Sequence, residues 1–294
     1  MSVGFASMRA MVRDAYENHY AVGHVNINNL EFLQAAVEAA EAEEAPVILG
    51  VSEGAIKYMG LEYTVAIGKA AADKARVPVA LHLDHGSSFE WVVRTVRAGF
   101  SSIMIDASRF PLDENIALTR KVVELCHPLG IDVEAELGRI GGTDDDLTVD
   151  ERLATLARAD EAAEFVRQTG VDALAAAIGS AHGRYKGRPE LHFDRLAEIR
   201  QATDTPLVLH GGSGIPDEDV QKAIALGVSK VNINTENQEL FSGVVRDVIT
   251  ANADMFDPRK YLGPARQAMK EAVQQKLRLL GSSRRAAVTV ASGQ

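Results

Sequence analysis

The stretch PVALHLDH, residues 78–85, decides the fold of this 294-residue chain. It is a short apolar run that leads into a polar, glycine-containing turn, which is typical of a buried parallel strand followed by a loop. Two other runs share this form, ALAAAIGSAH at residues 173–182 and PLVLH at residues 206–210. Each of the three runs closes on a histidine, which places three imidazoles at equivalent ends of three predicted strands.

Apolar runs of this kind recur along the whole chain. They span residues 20–26, 46–52, 78–84, 101–106, 131–137, 172–179, 206–210 and 228–234. Stretches with helical spacing separate them. This alternation predicts an α/β fold, a (β/α)8 TIM barrel with additional C-terminal helices. An open doubly wound sheet is the alternative, but its ligands gather at one switch point, whereas nearly every run here ends in a polar motif.

The chain, residues 1–294, is predicted to form one barrel domain. The connection between the fifth and sixth strands is the longest, and its glycines and acidic residues predict a mobile active-site loop at about residues 139–158. Beyond the eighth strand we expect a helical extension at about residues 252–282, with a long amphipathic helix near residues 264–280 and a frayed tail from residue 281.

Composition narrows the functional class. The chain is 46% hydrophobic and 24% charged, which are ordinary globular values, and its net charge of −10 argues against nucleic-acid binding. No apolar stretch reaches the roughly 18–20 residues of a membrane span, and the first residues lack the apolar core of a signal peptide. The chain has one cysteine, Cys126, which favours a reducing compartment. We therefore expect a cytoplasmic enzyme.

The three strand-end histidines point to a metal ion. His85, His182 and His210 would supply three protein ligands, and three ligands with an open fourth position form the pattern of a catalytic zinc site. Asp84 has two interpretations, a general acid or base beside the metal, or an N-cap of the following helix. We expect the third strand to end at Asp84, which frees His85 to turn into the barrel mouth.

Two carboxylates stand at the ends of the fourth and fifth strands. Asp106 lies in MIDAS and Glu136 in VEAELG. They could hold a second ion or an alternative position of the first. Equally, they could orient the ligating histidines by hydrogen bonds, as carboxylates around metal sites often do. Glu134 also faces the interior by strand alternation, but Glu136 lies nearer the rim.

A glycine-rich turn after the seventh strand suggests an anion site. Free backbone amides and a helix N-terminus favour a phosphate, and barrels often bind phosphate at the loops after strands seven and eight. The competing interpretations are an ordinary turn and, for Thr235, a helix N-cap. The candidate phosphate-binding residues are Gly183, Gly211, Gly212, Ser213, Asn232, Ile233, Asn234 and Thr235.

Taken together, these motifs resemble the class II, metal-dependent ketose-bisphosphate aldolases, and most closely the shorter, class IIB fructose-bisphosphate aldolases. The resemblance runs from about Ala21 to Arg266. It is carried by HLDHGSSFE, MIDAS, VEAELG, AIGSAHG, LVLHGGSGIP, VNINTENQ and DPRKYLGPAR. It is specific for the family and less specific for the sugar, because tagatose-bisphosphate aldolases and phospho-dehydro-deoxygluconate aldolases share the pattern.

The resemblance implies roles for these residues. The three histidines would bind zinc, Asp84 would be the catalytic proton donor, and Asp106 with Glu136 would match a second or alternative metal site. The glycine-rich turn and the 232–235 segment would bind dihydroxyacetone phosphate, and Ser52 would contact the aldehyde partner. A monovalent cation, Na+ or K+, near the phosphate is a further family trait.

The chain departs from the family pattern at several positions. Asp144 stands where the mobile loop usually carries a glutamate that moves a carbon-bound proton, so either Asp144 or Asp145 would take that role. Arg109 stands where histidine is common, and the pair His24–Val25 where Gln–Phe is common. These changes near strand ends either alter the sugar accepted or are neutral.

The activity that the resemblance implies is reversible aldol cleavage of a ketose 1,6-bisphosphate to dihydroxyacetone phosphate and glyceraldehyde 3-phosphate. Sugar phosphates are the expected partners, and base rates favour a homodimer or homotetramer. A Schiff-base mechanism would need a lysine near a strand end, and Lys230, within the predicted eighth strand, is the candidate. Two other classes stay open, a metal-dependent hydrolase barrel, which would activate water, and a non-catalytic sugar-phosphate sensor.

Overall fold

A computed structural model describes residues 4–144, 147–150, 154–185 and 187–286. Its strands are β1 (Val22–Asn26), β2 (Val47–Ser52), β3 (Val79–Gly86), β4 (Ser102–Ile105), β5 (Asp132–Leu137), β6 (Gly141–Asp144), β7 (Leu147–Val149), β8 (Ala173–Ala176), β9 (Ala181–His182), β10 (Leu207–Leu209) and β11 (Val228–Ile233). Eight of them close into a parallel barrel in the order β1-β11-β10-β8-β5-β4-β3-β2. The predicted TIM barrel is confirmed, and each of the eight apolar runs overlaps one barrel strand.

Helices cover the outside of the barrel and one of its ends. They are α1 (Met8–Glu17), α2 (Leu30–Glu43), α3 (Glu53–Met59), α4 (Leu61–Lys74), α5 (Phe89–Ala98), α6 (Leu112–Cys126), α7 (Ala159–Thr169), α8 (Phe193–Ala202), α9 (Asp217–Ala225), α10 (Thr235–Ala251) and α11 (Pro258–Leu279). Short polar side chains begin several of them; Asn29, for example, accepts the amide of Phe32 at 2.9 Å. Across the part of the chain described, no helix is both long and apolar enough to cross a bilayer.

Helix α1 closes the amino-terminal end of the barrel. This helix was not among the predicted elements. Met8, Met11, Val12 and Ala15 are fully buried, and they pack with interior residues of the barrel such as Val22. Their spacing of three, one and three residues is the apolar stripe of an amphipathic helix, so the signal was present in the sequence. Because α1 seals this end, ligands reach the interior from the carboxyl ends of the strands.

The C-terminal extension differs from its prediction in two ways. Helix α11 begins at Pro258, before the predicted residue 264, because Asp257 caps it and proline is favoured in the first helical turn. The expected frayed tail is fixed as far as residue 286, where the amides of Arg284 and Ala286 donate to the carbonyls of Glu43 and Glu44 at 2.8 and 2.9 Å. Residues 287–294 lie outside the described residues.

The described residues of the connection at 139–158, the predicted mobile loop, contain two short strands. Strands β6 and β7 form an antiparallel hairpin, and β6 pairs in parallel with β9, with Gly142 opposite His182. At the base, the backbones of Arg139 and Thr155 exchange hydrogen bonds of 2.9 and 3.0 Å. A glycine is required at position 142 for close backbone approach, since a Cβ there would lie 2.1 Å from the carbonyl oxygen of His182.

Candidate active site

The three strand-end histidines lie together at the carboxyl end of the barrel. The ring centroids of His85 and His182 are 4.9 Å apart, those of His85 and His210 are 4.8 Å apart, and those of His182 and His210 are 5.7 Å apart. One ligand atom from each ring lies within 4.8 Å of the others. His182 and His210 are buried, and His85 is 9% exposed. We call these three residues the histidine cluster.

A bulge in β3 turns His85 into the cluster. Its backbone has φ of 47°, a left-handed conformation that non-glycine residues rarely adopt, and the pairing of β3 with β4 shifts register between Leu83 and Gly86. The prediction that β3 ends at Asp84 is therefore wrong, because the strand resumes as far as Gly86. The expected outcome, that the His85 ring reaches the mouth of the barrel, is produced by the bulge.

Hydrogen bonds to two carboxylates fix which nitrogens of the cluster are free to bind a ligand. His85 Nδ1 lies 2.9 Å from Asp106 Oδ2, and His210 Nε2 lies 2.9 Å from Glu134 Oε1. Carboxylates only accept, so each of these nitrogens carries the proton. The remaining nitrogens, His85 Nε2 and His210 Nδ1, face each other at 3.0 Å. Converging imidazole lone pairs backed by carboxylates are the donor set of a zinc site, so the residues present fit a divalent metal.

The electrostatics of the cluster also suit a cation. Burial, followed by the charge of His85, lowers the pKa of His182 to about 3, which keeps this ring neutral and able to ligate. Burial alone would lower the pKa of His85, but its hydrogen bond to Asp106 and the carboxylates of Asp84 and Glu136 raise it well above its usual value. Several acidic groups thus converge on the cluster: without an ion they stabilise a proton on His85, and a bound cation in its place would gain the same stabilisation.

Asp106 and Glu136 form a second possible metal group with His85, since one ligand atom from each lies within 4.8 Å of the others. Asp106 is held by the amide and hydroxyl of Ser108 at 3.1 and 2.7 Å. Burial, and then the neighbouring Asp106, raise the pKa of Glu136 to about 8. The contact of Asp106 with His85 corresponds to the orienting role considered above.

Asp84 lies beside the histidine cluster with its carboxylate buried. Asn26 Nδ2 donates to Oδ2 at 2.9 Å, and Asn232 Nδ2 lies 3.4 Å from Oδ1. Burial raises the pKa of Asp84, opposed mainly by the charges of His85 and Lys230. The capping interpretation fails for this residue, because Ser88 is the N-cap of α5 and accepts the amide of Trp91 at 3.3 Å.

The glycine-rich turn is shaped by close backbone contacts. Gly211 has φ of 65°, and a Cβ there would lie 2.2 Å from the carbonyl of Ala181. Ser213 Oγ accepts the amides of Asn234 and Glu236, each at 3.3 Å, which ties the turn to the first residues of α10. The expectation that the turn leads into a helix at Asp217 is confirmed, since α9 begins there. The expectation that Thr235 caps α10 is wrong, because Asn234 occupies the N-cap position.

The other predicted residues occupy defined places around this site. Ser52 ends β2 directly beside Asp84 in the strand register, and it caps α3 by accepting the amide of Ala55 at 3.2 Å. The backbone of Asp144 ends β6, while its side chain and all of Asp145 fall outside what the structure describes. Of the departures, Arg109 donates to the carbonyl of Ser87 at 2.9 Å.

Sequence reasoning missed three contributors. Glu134 and Lys230 were noted in other roles, yet they form a fully buried ion pair under the histidine cluster, with Nζ 2.9 Å from Oε2. The sequence did carry a signal for this pair. Each residue is charged, lies inside an apolar strand, and stands two positions before Glu136 or Asn232, so it faces the same side of its strand. Tyr185 accepts the amide of Ala181 at 2.9 Å and donates to the carbonyl of Gly211 at 3.0 Å, which joins the two histidine-bearing turns.

His24 is a fully buried imidazole in the barrel interior. Its Nε2 lies 3.9 Å from Asp84 Oδ2, and its ring meets that of His82 edge-on, with centroids 5.5 Å apart. Burial, then the charge of Lys230, lower its pKa well below the usual value, so the ring is neutral. The departure at position 24 therefore borders the candidate catalytic carboxylate.

The closed barrel, with the histidine cluster and a buried carboxylate at its mouth, is the arrangement expected of an aldolase, a lyase. The model of the family described as "Fructose-bisphosphate aldolase class-II" matches residues 6–285. This chain belongs to the class II fructose-bisphosphate aldolase family.

Named relatives and a solved structure agree with that assignment. The chain is 54% identical over 283 residues to a fructose-bisphosphate aldolase of Staphylococcus aureus strain Mu50, covering 95% of this chain and 98% of the relative. It is 53% identical, with the same coverage, to a fructose-bisphosphate aldolase of Staphylococcus epidermidis. The crystal structure of the YdjI aldolase from Escherichia coli K12 superposes with a TM-score of 0.84 at 38% identity, covering 96% of this chain and 99% of that one.

Proposed function

We propose that this chain catalyses the reversible aldol cleavage of fructose 1,6-bisphosphate to dihydroxyacetone phosphate and glyceraldehyde 3-phosphate. The observation that carries the proposal is the histidine cluster with a buried carboxylate, Asp84, beside it. The names of the relatives at 54% and 53% identity favour fructose 1,6-bisphosphate as the sugar. Tagatose 1,6-bisphosphate and a phospho-dehydro-deoxygluconate are the other substrates that the same chemistry would serve.

In this proposal His85, His182 and His210 hold a divalent metal ion, zinc. Bound there, zinc supplies Lewis acidity toward the carbonyl group of the substrate. Asp106 fixes the tautomer of His85 by accepting from Nδ1 at 2.9 Å, and Asp106 with Glu136 would form a second or alternative metal position. A sodium or potassium ion near the phosphate is part of the same proposal.

Asp84 moves a proton at the reacting oxygen. In cleavage its carboxylate takes the proton of the C4 hydroxyl, and in condensation it returns that proton to the oxygen of the aldehyde. The contacts from Asn26 and Asn232 hold both carboxylate oxygens in place. Its burial raises its pKa and makes it a stronger base than an exposed aspartate.

The glycine-rich turn and the start of α10 would bind the phosphate of the triose half. Gly183 and Gly211 allow close backbone approach, and the amide of Gly212 ties the turn to the carbonyl of Asn232 at 3.0 Å. Ser213 links the turn to the helix N-terminus, where the helix dipole favours an anion. The residues assigned to the same half are Asn232, Ile233, Asn234 and Thr235. Ser52 lies beside Asp84 on the neighbouring strand and would contact the aldehyde half.

A carboxylate of the 139–158 connection would exchange the carbon-bound proton of the triose. Asp144 is the first candidate, because β6 carries it away from the base of the hairpin, and Asp145 is the second. Proton exchange of dihydroxyacetone phosphate with solvent, followed by NMR, separates this role from cleavage. Asp144→Asn is expected to slow exchange more than Asp145→Asn if Asp144 is the base.

An assay of the purified enzyme on a panel of ketose phosphates, with and without excess chelator, tests the proposal. We expect triose phosphate release from fructose 1,6-bisphosphate that is abolished by the chelator and restored by zinc. We expect His210→Ala to lose both bound zinc and cleavage. Substantial activity in the chelator, or in His210→Ala, would contradict it. Hydrolysis without triose phosphate would indicate the hydrolase class, and sugar-phosphate binding without turnover would indicate a sensor.

We further propose an even-numbered homo-oligomer, a dimer or tetramer, in the cytoplasm. The assembly rests on the prevalence of such symmetry among enzymes. The compartment rests on the single cysteine, Cys126, which is buried and free. Analytical ultracentrifugation of the full chain measures the assembly directly, and a monomer at micromolar concentration would contradict it.

A further inference from the structure

The Lys230–Glu134 ion pair lies inside the barrel, directly under the histidine cluster. Lys230 Nζ is 2.9 Å from Glu134 Oε2 and 3.2 Å from Oε1, and both side chains are fully buried. Removing two charges from water costs several kcal/mol per ion, and the attraction between them recovers this only in good geometry with further hydrogen bonds. Such a pair is weak evidence for added stability, so a positioning role is the more direct explanation.

The first partner of the pair is His210. Glu134 Oε1 accepts from His210 Nε2 at 2.9 Å, which leaves Nδ1 as the nitrogen with a lone pair. That lone pair faces Nε2 of His85 at 3.0 Å. Lys230 Nζ donates to Oε1 of Glu134 at 3.2 Å and lies 2.9 Å from Oε2 as an ion pair, so it contacts both oxygens of the carboxylate that selects this tautomer.

The second partner is Asn232. Lys230 Nζ donates to Asn232 Oδ1 at 2.8 Å, which sets the orientation of the amide group. The other end of that amide, Nδ2, therefore points toward Asp84 Oδ1 at 3.4 Å. The ammonium group of Lys230 thus contacts two neighbours. Glu134 contacts His210 of the cluster, and Asn232 contacts Asp84.

We propose that Lys230, acting through Glu134 and Asn232, is a positioning residue that presents His210 Nδ1 to the metal and holds Asp84 beside it. The proposal deepens the proposed function and rests on it, but it concerns only how the chain prepares the site. It also gives Lys230 a role other than that of a Schiff-base nucleophile, because its ammonium protons are engaged by Glu134 and Asn232.

The substitution Lys230→Met tests the role, since methionine keeps an unbranched chain and removes the charge and the donors. Without the ammonium, Glu134 loses the group that fixes its plane, and the His210 ring loses its single orientation. The zinc affinity of the full chain, stripped by chelator and titrated against a fluorescent competitor, is expected to fall by about 10–100-fold, the range for groups behind metal ligands. Lys69→Met, on the exposed face of α4, is the matched control and should bind zinc normally.

The double variant Lys230→Met/Glu134→Gln keeps the test valid if the single variant does not fold. Glutamine removes the unpaired buried charge and retains an oxygen that can accept from His210 Nε2. We expect it to recover stability and part of the zinc affinity. In the zinc-free protein, two-bond nitrogen–proton NMR should show His210 protonated at Nε2 in the wild type and a mixture of tautomers in Lys230→Met.

The possible outcomes separate this inference from the proposed function. Unchanged zinc affinity and an unchanged His210 tautomer in folded Lys230→Met would overturn the inference, whatever the activity. Weaker zinc binding in a protein whose wild type cleaves no ketose phosphate would support the inference and overturn the proposed function. If the wild type cleaves a ketose phosphate and Lys230→Met binds zinc as tightly as the wild type, the proposed function is supported and the inference is overturned.

Discussion

Gly50 lies directly against the imidazole of His24, so closely that a Cβ atom at residue 50 would be 1.4 Å from His24 Nε2. The two residues stand on the paired strands β1 and β2, with Ile48 opposite His24 and Gly50 opposite Asn26. No rotation of an alanine methyl group relieves an overlap of this size, so the ring or the strand must move. A glycine at position 50 therefore allows an imidazole to occupy the barrel interior next to Asp84.

The variant Gly50→Ala is expected to lower the free energy of unfolding by about 1–3 kcal/mol, the usual cost of overpacking a core. Denaturant unfolding of the purified protein measures it. Gly243→Ala, in α10 with open space around its Cβ, should instead be neutral or stabilising. The double variant Gly50→Ala/His24→Ala should recover part of the loss, and a double variant no better than Gly50→Ala would show that the strain lies elsewhere.

The variant Asp84→Asn separates proton transfer from metal binding. Asparagine has nearly the same shape, but it cannot accept a proton at the pH of the assay. Cleavage is expected to slow by on the order of 10²–10⁴-fold, the usual contribution of a positioned acid or base. Zinc content by metal analysis and the unfolding midpoint should stay close to wild type. A variant that keeps more than a tenth of the wild-type rate would assign the proton transfer to another group.

The carboxylate of Glu43 binds the C-terminal segment through hydrogen bonds whose contribution to stability depends on pH. Its carboxylate accepts from Arg278 at 2.6 and 3.1 Å, from Gln274 at 3.1 Å and from Ser283 at 2.9 Å. The hydrogen bond from Arg278 is the main reason that its pKa lies below the ordinary 4.5. Because the folded pKa is lowered, the stabilisation is complete above about pH 4.5 and is lost as the pH falls below that value.

The variant Glu43→Gln tests whether this stabilisation is lost as the pH falls. At pH 7 it should be less stable than wild type by about 1–2 kcal/mol, since it loses hydrogen bonds to a charged group. The difference should shrink when both proteins are unfolded by denaturant below pH 4. Glu41→Gln, whose exposed partner Arg76 lies 3.5 Å away, is the control and should change stability by less than about 0.5 kcal/mol. A difference that grows on acidification would contradict the assignment.

The barrel and the histidine cluster followed from the sequence because both depend on local signals. Each barrel strand is an apolar run bounded by polar residues, and parallel strands in a closed barrel bring all their carboxyl ends to one face. His85, His182 and His210 each close such a run, so their meeting required no knowledge of strand order. Secondary structure and topology were enough to bring them together.

The contacts that hold the cluster in place could not be predicted from such local signals. The contact between Lys230 on β11 and Glu134 on β5 spans strands that are not neighbours in the barrel, so it depends on side-chain reach across the interior. The bulge at His85 depends on how β3 and β4 pair, and a register shift leaves no local mark in HLDHGSS. The hairpin of β6 and β7 was missed because its glycines are typical of mobile loops as well as of close backbone packing.

The hydroxyl of Tyr185 joins the two turns that carry His182 and His210. Its hydroxyl accepts the amide of Ala181, next to His182, and donates to the carbonyl of Gly211, next to His210. Burial raises its pKa to about 12, so the hydroxyl stays protonated across the working pH range. One side chain thus links two of the three histidine-bearing turns at neutral pH.

The variant Tyr185→Phe removes both hydrogen bonds while keeping the ring. We expect a loss of about 1–3 kcal/mol in unfolding free energy, because a buried amide and a carbonyl lose their partner, and a zinc affinity lower by about tenfold, as for other groups behind metal ligands. Tyr63→Phe, a ring that is 73% exposed on α4, should change neither quantity. Lower stability with unchanged zinc affinity would show that the two turns hold their histidines without the link, and that Tyr185 serves packing alone.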